Sequence, residues 1–168
     1  MKATIMTIST DIDLRHYIIG AWILESYESF DLDGSDVPYP LGSDARGTIV
    51  YTADGYMSAQ IMRSDRPQFH TGDLTAGDNK ELATAASGYL AYTGPYTVSD
   101  DNVISHHVQV SLLPNWIGGT QCRAAKIGNE RLELGPTEPT LIDGQLRNAR
   151  LVWRRPKSTV AVSNTHRC

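Results

Sequence analysis

Between Val103 and Ile127 the chain reads VISHHVQVSLLPNWIGGTQCRAAKI, and this stretch restricts the fold more than any other. Ile104, His106, Val108, Val110 and Leu112 fall on one side of an extended segment, while Ser105, His107, Gln109 and Ser111 fall on the other. A period of two with one apolar side predicts a half-buried strand. Pro114-Asn115 and Gly118-Gly119 mark turns on either side of Trp116. A second extended segment then sets Gln121, Arg123, Ala125 and Ile127 against Thr120, Cys122, Ala124 and Lys126. Lysine is costly to bury, so the Lys126 side faces water and the Gln121 and Arg123 side faces in. An imidazole and a guanidinium on adjacent strands are expensive in a closed core, and their placement points to a cavity that receives a polar ligand group.

The same period recurs along the chain. Leu14 to Ile19 reads as a short helical turn, and from Gly20 a strand places Trp22, Leu24 and Ser26 inward against Ala21, Ile23, Glu25 and Tyr27. Asp33-Gly34 ends it, and the Pro38- and Pro40-containing connection to Gly42 reads as a loop that can frame an opening. Residues 46–52 and 56–63 predict a hairpin that pairs Thr52 with Tyr56. That register turns Ile49, Tyr51, Met57, Ala59 and Ile61 inward and leaves Arg63 at the rim. Asp78 and Glu81 have capping-box spacing ahead of Leu82, Ala85, Ala86 and Tyr89, which predicts one short helix able to cover a barrel mouth. Tyr92, Gly94, Tyr96 and Val98, then Leu132 and Leu134, then Leu151 and Trp153 in the segment 147–155 complete the inward set. The total is about eight short strands joined mainly by hairpin turns, an all-β antiparallel barrel or sandwich; a barrel of that size holds one small ligand.

One domain over residues 14–155 is expected, with a loose arm over 1–13 and a disordered tail over 156–168. A net charge of -4 and a pI near 5.7 give no general attraction to nucleic acid or to an anionic membrane. No apolar run reaches signal-peptide or membrane-spanning length, and the two cysteines, Cys122 and Cys168, suit a reducing compartment, so a cytoplasmic protein is expected. There is no zinc-site spacing, phosphate loop or dinucleotide fingerprint, so neither metal nor cofactor is expected. The outward Ser58 and Gln60 face leaves a homodimer open.

Gly20-Ala21-Trp22 resembles the Gly-x-Trp signature on the first strand of lipocalins, and the Arg154/Arg155 pair stands where an arginine packs across that tryptophan. The runs YPLGSDARGTIVYTADGYMSAQIMRSDRP (39–67), GYLAYTGPYTV (88–98), HHVQVSLLPNWIGGTQCRAA (106–125) and LVWRR (151–155) carry more. Together they resemble the lipocalin-like domain family of small intracellular bacterial and fungal proteins, over nearly all of residues 17–155. The resemblance implies a lipocalin-like up-and-down β-barrel with a central cavity. It also implies a place among fungal relatives that serve polyketide or terpenoid pathways as cofactor-free cyclases, isomerases or pericyclases.

Within such a cavity His106 can move a proton near neutral pH, or it can be a core histidine bonded to a neighbouring strand. Arg123 can hold a carboxylate or a developing enolate, with Gln121 orienting it. Tyr51, Tyr92 and Tyr96 offer phenolic donors, and Met57, Ile61, Val108, Trp153 and a lid-like Trp116 supply shape. With no nucleophile and base motif, catalysis would rest on shape and electrostatics. The reading is a cofactor-independent enzyme that cyclises or isomerises a small hydrophobic oxygenated substrate; the alternative is a non-catalytic carrier of such a compound.

Overall fold

Alternating segments take up ten strands among the described residues, which are 13–73 and 75–157 of the computed structural model. They are β1 (Gly20–Phe30), β2 (Arg46–Tyr51), β3 (Tyr56–Met62), β4 (Tyr89–Val98), β5 (Val103–His107), β6 (Val110–Ser111), β7 (Thr120–Gly128), β8 (Arg131–Pro136), β9 (Thr140–Ile142) and β10 (Gln145–Arg154). Neighbours pair antiparallel in the order β1-β2-β3-β4-β5-β7-β8-β10, and β10 returns to β1, so eight strands close a barrel. The short β6 extends the β5 side of β4, and β9 folds back on β10. Closure removes the unpaired strand edges that an open sheet would expose. The expected all-β barrel thus forms; the sandwich does not. The expected arm and tail lie outside the described residues, apart from Asp13, Pro156 and Lys157.

One end of the barrel is sealed. Helix α1 (Leu14–Tyr17) lays Leu14 and Ile18 over the end, and the Trp22 indole donates to the Ile18 carbonyl at 2.8 Å. The Arg155 guanidinium stacks on Trp22 with its carbon 3.7 Å from the ring centroid, and donates to the carbonyls of Tyr17 and Ala21. Gly20 permits this approach: its φ is +110°, and a Cβ there would stand 2.9 Å from Arg155 Nη1. Arg154, by contrast, turns outward toward Glu25.

The hairpin forms in the expected register, with Tyr51 opposite Met57 and the Thr52 amide bonded to the Tyr56 carbonyl. Helix α2 (Asn79–Ser87) carries both halves of the Asp78–Glu81 capping box. It does not cover the barrel mouth: none of its residues is buried, none lines the interior cavity, and Tyr89 begins β4 instead of ending the helix. The loop after β1 supplies no side chain to the cavity lining either. Arg147 holds it against β10 through Asp31 at 2.9 Å and Asp36 at 3.1 Å.

Two irregularities reset the strand faces. In β1, Leu24 opposes Trp153 while Ser26 opposes Val152, so one residue is extra and the inward side passes to Tyr27 and Ser29. Tyr27 therefore faces in, contrary to strict alternation, and Ser26 does not. Between β5 and β6 a second residue is extra: Tyr96 opposes His106, but Thr93 opposes Val110. Gly94 makes room for it, since a Cβ there would lie 1.9 Å from the His107 carbonyl oxygen. Beyond this step the parity inverts, so Val110 and Leu112 are exposed instead of inward.

Candidate functional site

The barrel interior holds a cavity of about 230 Å³ that opens at the end opposite α1. Ile49, Ala59, Ile61, Leu134 and Leu151 form its walls, with Trp116 from the turn Pro114–Trp116, Leu113 just before that turn, and Leu141 and Ile142 from β9 at its mouth. Six lining side chains carry polar atoms: Tyr27 from β1, Tyr92 from β4, His106 from β5, Arg123 from β7, Thr140 from β9 and Trp153 from β10. A larger groove of about 520 Å³ runs outside the barrel over Val50, Ser58 and Gln60. It is the more open of the two and its Tyr89 and Gln60 side chains bond to each other, whereas the interior cavity is more enclosed and mostly apolar, the kind of site that holds a small ligand.

His106 is buried and both ring nitrogens are engaged. The Tyr51 hydroxyl lies 2.9 Å from Nε2 and the Tyr92 hydroxyl 3.0 Å from Nδ1. Burial, with the nearby Arg123 charge and His107 adding to it, pushes its pKa down to about 3, so the imidazole is neutral at physiological pH. Burial also raises the phenols of Tyr51, Tyr92 and Tyr27, and Arg123 opposes the rise in all three. The guanidinium field thus reaches side chains from β1, β2, β4 and β5. Arg123 itself donates to the Cys122 carbonyl at 3.1 Å and to Gln121 Oε1 at 3.0 Å, and makes no ion pair among the described residues. Such a half-buried cation offers its remaining N–H groups to whatever enters the cavity.

A model of the lipocalin-like domain family matches residues 19–156, the whole barrel from its first strand through its last. The chain belongs to that family. It is also 40% identical over 106 residues, covering 59% of this chain and 96% of the other, to a 4'-hydroxy-3'-methoxypropiophenone carrier protein of Aspergillus oryzae.

The lipocalin-like barrel brings together His106, Arg123, Tyr92, Ile61, Trp116 and Trp153 around the cavity. It does not bring Tyr51, Met57, Tyr96, Val108 or Gln121 to the cavity wall. Tyr51, Met57 and Val108 are buried behind it, with Tyr51 reaching the site through His106. Tyr96 packs edge-on against Tyr51 toward the sealed end and donates to the Thr52 carbonyl, which takes it away from any ligand. Gln121 sits opposite His106 but spends its amide oxygen on Arg123. The 3-10 turn seats Trp116 edge-on against Tyr92, with ring centroids 5.2 Å apart. Sequence reasoning missed Tyr27, hidden by the β1 bulge, and the β9 residues, hidden in a segment whose Pro136 and Pro139 read as a loop. His106 takes up the second of its two sequence readings, a buried histidine hydrogen-bonded to side chains of neighbouring strands, and it also lines the cavity.

Proposed function

We propose that this lipocalin-like barrel binds one small aromatic ketone inside its cavity and acts as its carrier. The observation that carries the reading is the combination of an apolar hollow of about 230 Å³ with a single polar corner formed by Tyr92, His106 and Arg123. Such a site suits a flat ring with one or two oxygens: the walls take the ring and the corner takes an oxygen. The relative named for carrying 4'-hydroxy-3'-methoxypropiophenone supports that ligand class. A ligand of about a dozen heavy atoms, at about 0.5 kcal/mol per atom, would bind with a dissociation constant of tens of micromolar.

A second reading is cyclisation or isomerisation of a similar substrate. Arg123 beside Tyr92 favours it, because the pair would stabilise an enolate oxygen. The depressed basicity of His106 speaks against the proton-moving half of that scheme, since a base must accept a proton to act. Titration with 4'-hydroxy-3'-methoxypropiophenone by calorimetry, followed by chromatography of the recovered ligand, separates the two. Saturable binding with unchanged ligand is the expected result. No binding would remove the carrier reading, and a new product would replace it with the catalytic one.

A further inference from the structure

The hydrogen bonds around His106 have a direction, and that direction decides what the cavity offers. Tyr51 is fully buried and does not line the cavity, and its hydroxyl has one partner among the described residues, His106 Nε2. If Tyr51 accepted from the imidazole, its own proton would be stranded in a dry interior, which is costlier than any other arrangement of the pair. Tyr51 is therefore the donor and Nε2 the acceptor. A neutral imidazole carries one N–H, so the proton sits on Nδ1 and is donated to the Tyr92 oxygen 3.0 Å away. The Tyr92 proton is then left without an acceptor among the described residues.

The surroundings of Tyr92 sharpen this. Arg123 beside it has donors only, and its acceptors on the protein are already named, the Cys122 carbonyl and Gln121. No Asp, Glu, Asn or Gln side chain lines the cavity. Trp153, also a lining residue, has a buried indole N–H with no partner among the described residues. The neutrality of His106 on which the relay depends follows from its burial.

We propose that Tyr51, His106 and Tyr92 form a one-way hydrogen-bond relay that turns the Tyr92 proton into the cavity, so that the Tyr92 and Arg123 corner selects a ketone over the corresponding secondary alcohol. A carbonyl oxygen accepts from both donors with nothing left over. The alcohol brings a proton of its own into a corner already filled with donors. Tyr51 is in this scheme a positioning residue, acting on the ligand through two other side chains. The ligand class rests on the carrier reading above; the relay itself does not.

The test has a ligand-free arm and a ligand arm. Nitrogen NMR of the unliganded protein labelled at histidine is expected to show His106 protonated at Nδ1, and Tyr51→Phe is expected to lose that fixed tautomer while remaining folded. In the ligand arm, 4'-hydroxy-3'-methoxypropiophenone is expected to bind about tenfold or more tighter than its carbinol, the loss typical of an unpaired buried donor. Tyr92→Phe and Tyr51→Phe should each shrink that ratio and move the bound ketone's C=O stretch back toward its free frequency. A proton on Nε2 overturns the relay, and equal affinity for ketone and carbinol overturns the selectivity while leaving the carrier reading intact. If neither compound binds, the carrier reading and the ligand selectivity fall together, and the nitrogen shifts still decide the relay.

Discussion

His106 should make the protein sensitive to mild acid. In the unfolded chain its imidazole takes up a proton near its ordinary pKa of 6.5, whereas in the barrel burial delays protonation to about 3. Between these values the unfolded state binds more protons, so stability is complete above pH 6.5 and falls as the pH drops toward 3. The slope through the middle of the window is about 1.4 kcal/mol per pH unit, which sums to roughly 3 kcal/mol lost between pH 7 and pH 4.5. That is a large share of the 5–15 kcal/mol or so that holds a typical domain. Urea unfolding at half-unit pH steps would read it, with His106→Gln as the control. The amide cannot titrate, so the variant starts about 1–3 kcal/mol less stable at pH 7 through imperfect bonding to the two tyrosines, and then stays level to pH 4.5. Asp13, Glu25, Asp65 and Glu81 have pKa values held down by their partners, and their loss comes at lower pH and is common to both proteins. Parallel curves for wild type and variant between pH 6.5 and 4.5 would refute the assignment of a buried neutral imidazole.

Three further outcomes follow from the packing. Gly94→Ala places a Cβ against the His107 carbonyl, and the β5 step must shift, at a cost of about 3 kcal/mol or more in chemical denaturation, with weaker ligand binding because His106 moves with it. Gly20→Ala combines a φ of +110° with a clash on Arg155, and a loss of about 2 kcal/mol is expected, read as a lower Tm. Arg147→Met frees Asp31 and Asp36, which are exposed enough to regain water, so the cost is about 1–2 kcal/mol. The local readout for Arg147→Met is faster hydrogen exchange at the amides of Ser29 and Asp31, which bond to the Pro38 and Asp36 carbonyls across the loop.

The barrel itself was legible because its strands are two-sided. Ile49, Tyr51, Met57, Ala59 and Ile61 alternate without interruption, the Asp54-Gly55 turn sets their register, and all five are buried. The capping box of α2 was legible for the same reason, being a short-range pattern with a local cause. What alternation cannot carry is an inserted residue, because one extra position inverts every assignment beyond it. The bulge in β1 hid Tyr27, and the step after His107 misdirected Val110 and Leu112. Only the second of these left a trace in the sequence, a glycine at position 94 in the middle of an otherwise well-formed strand, where it weakens packing unless backbone must pass close by.

Those same irregularities account for where the polar groups end up. A regular continuation past His107 would have carried Val110 and Leu112 over the mouth and closed it with aliphatic side chains. The step turns them outward, and the chain instead brings Leu113 and Trp116 to the cavity, the latter seated on Tyr92. In β1 the bulge exchanges Ser26 for the larger Tyr27, whose phenol feels the Arg123 charge across the hollow. Two extra residues, placed on opposite sides of the barrel, thus add a second phenol and keep an indole at the entrance, while His106 and Arg123 stay where plain alternation puts them. The regular geometry of a closed barrel supplies the hollow, and the departures from it decide which side chains a ligand meets there.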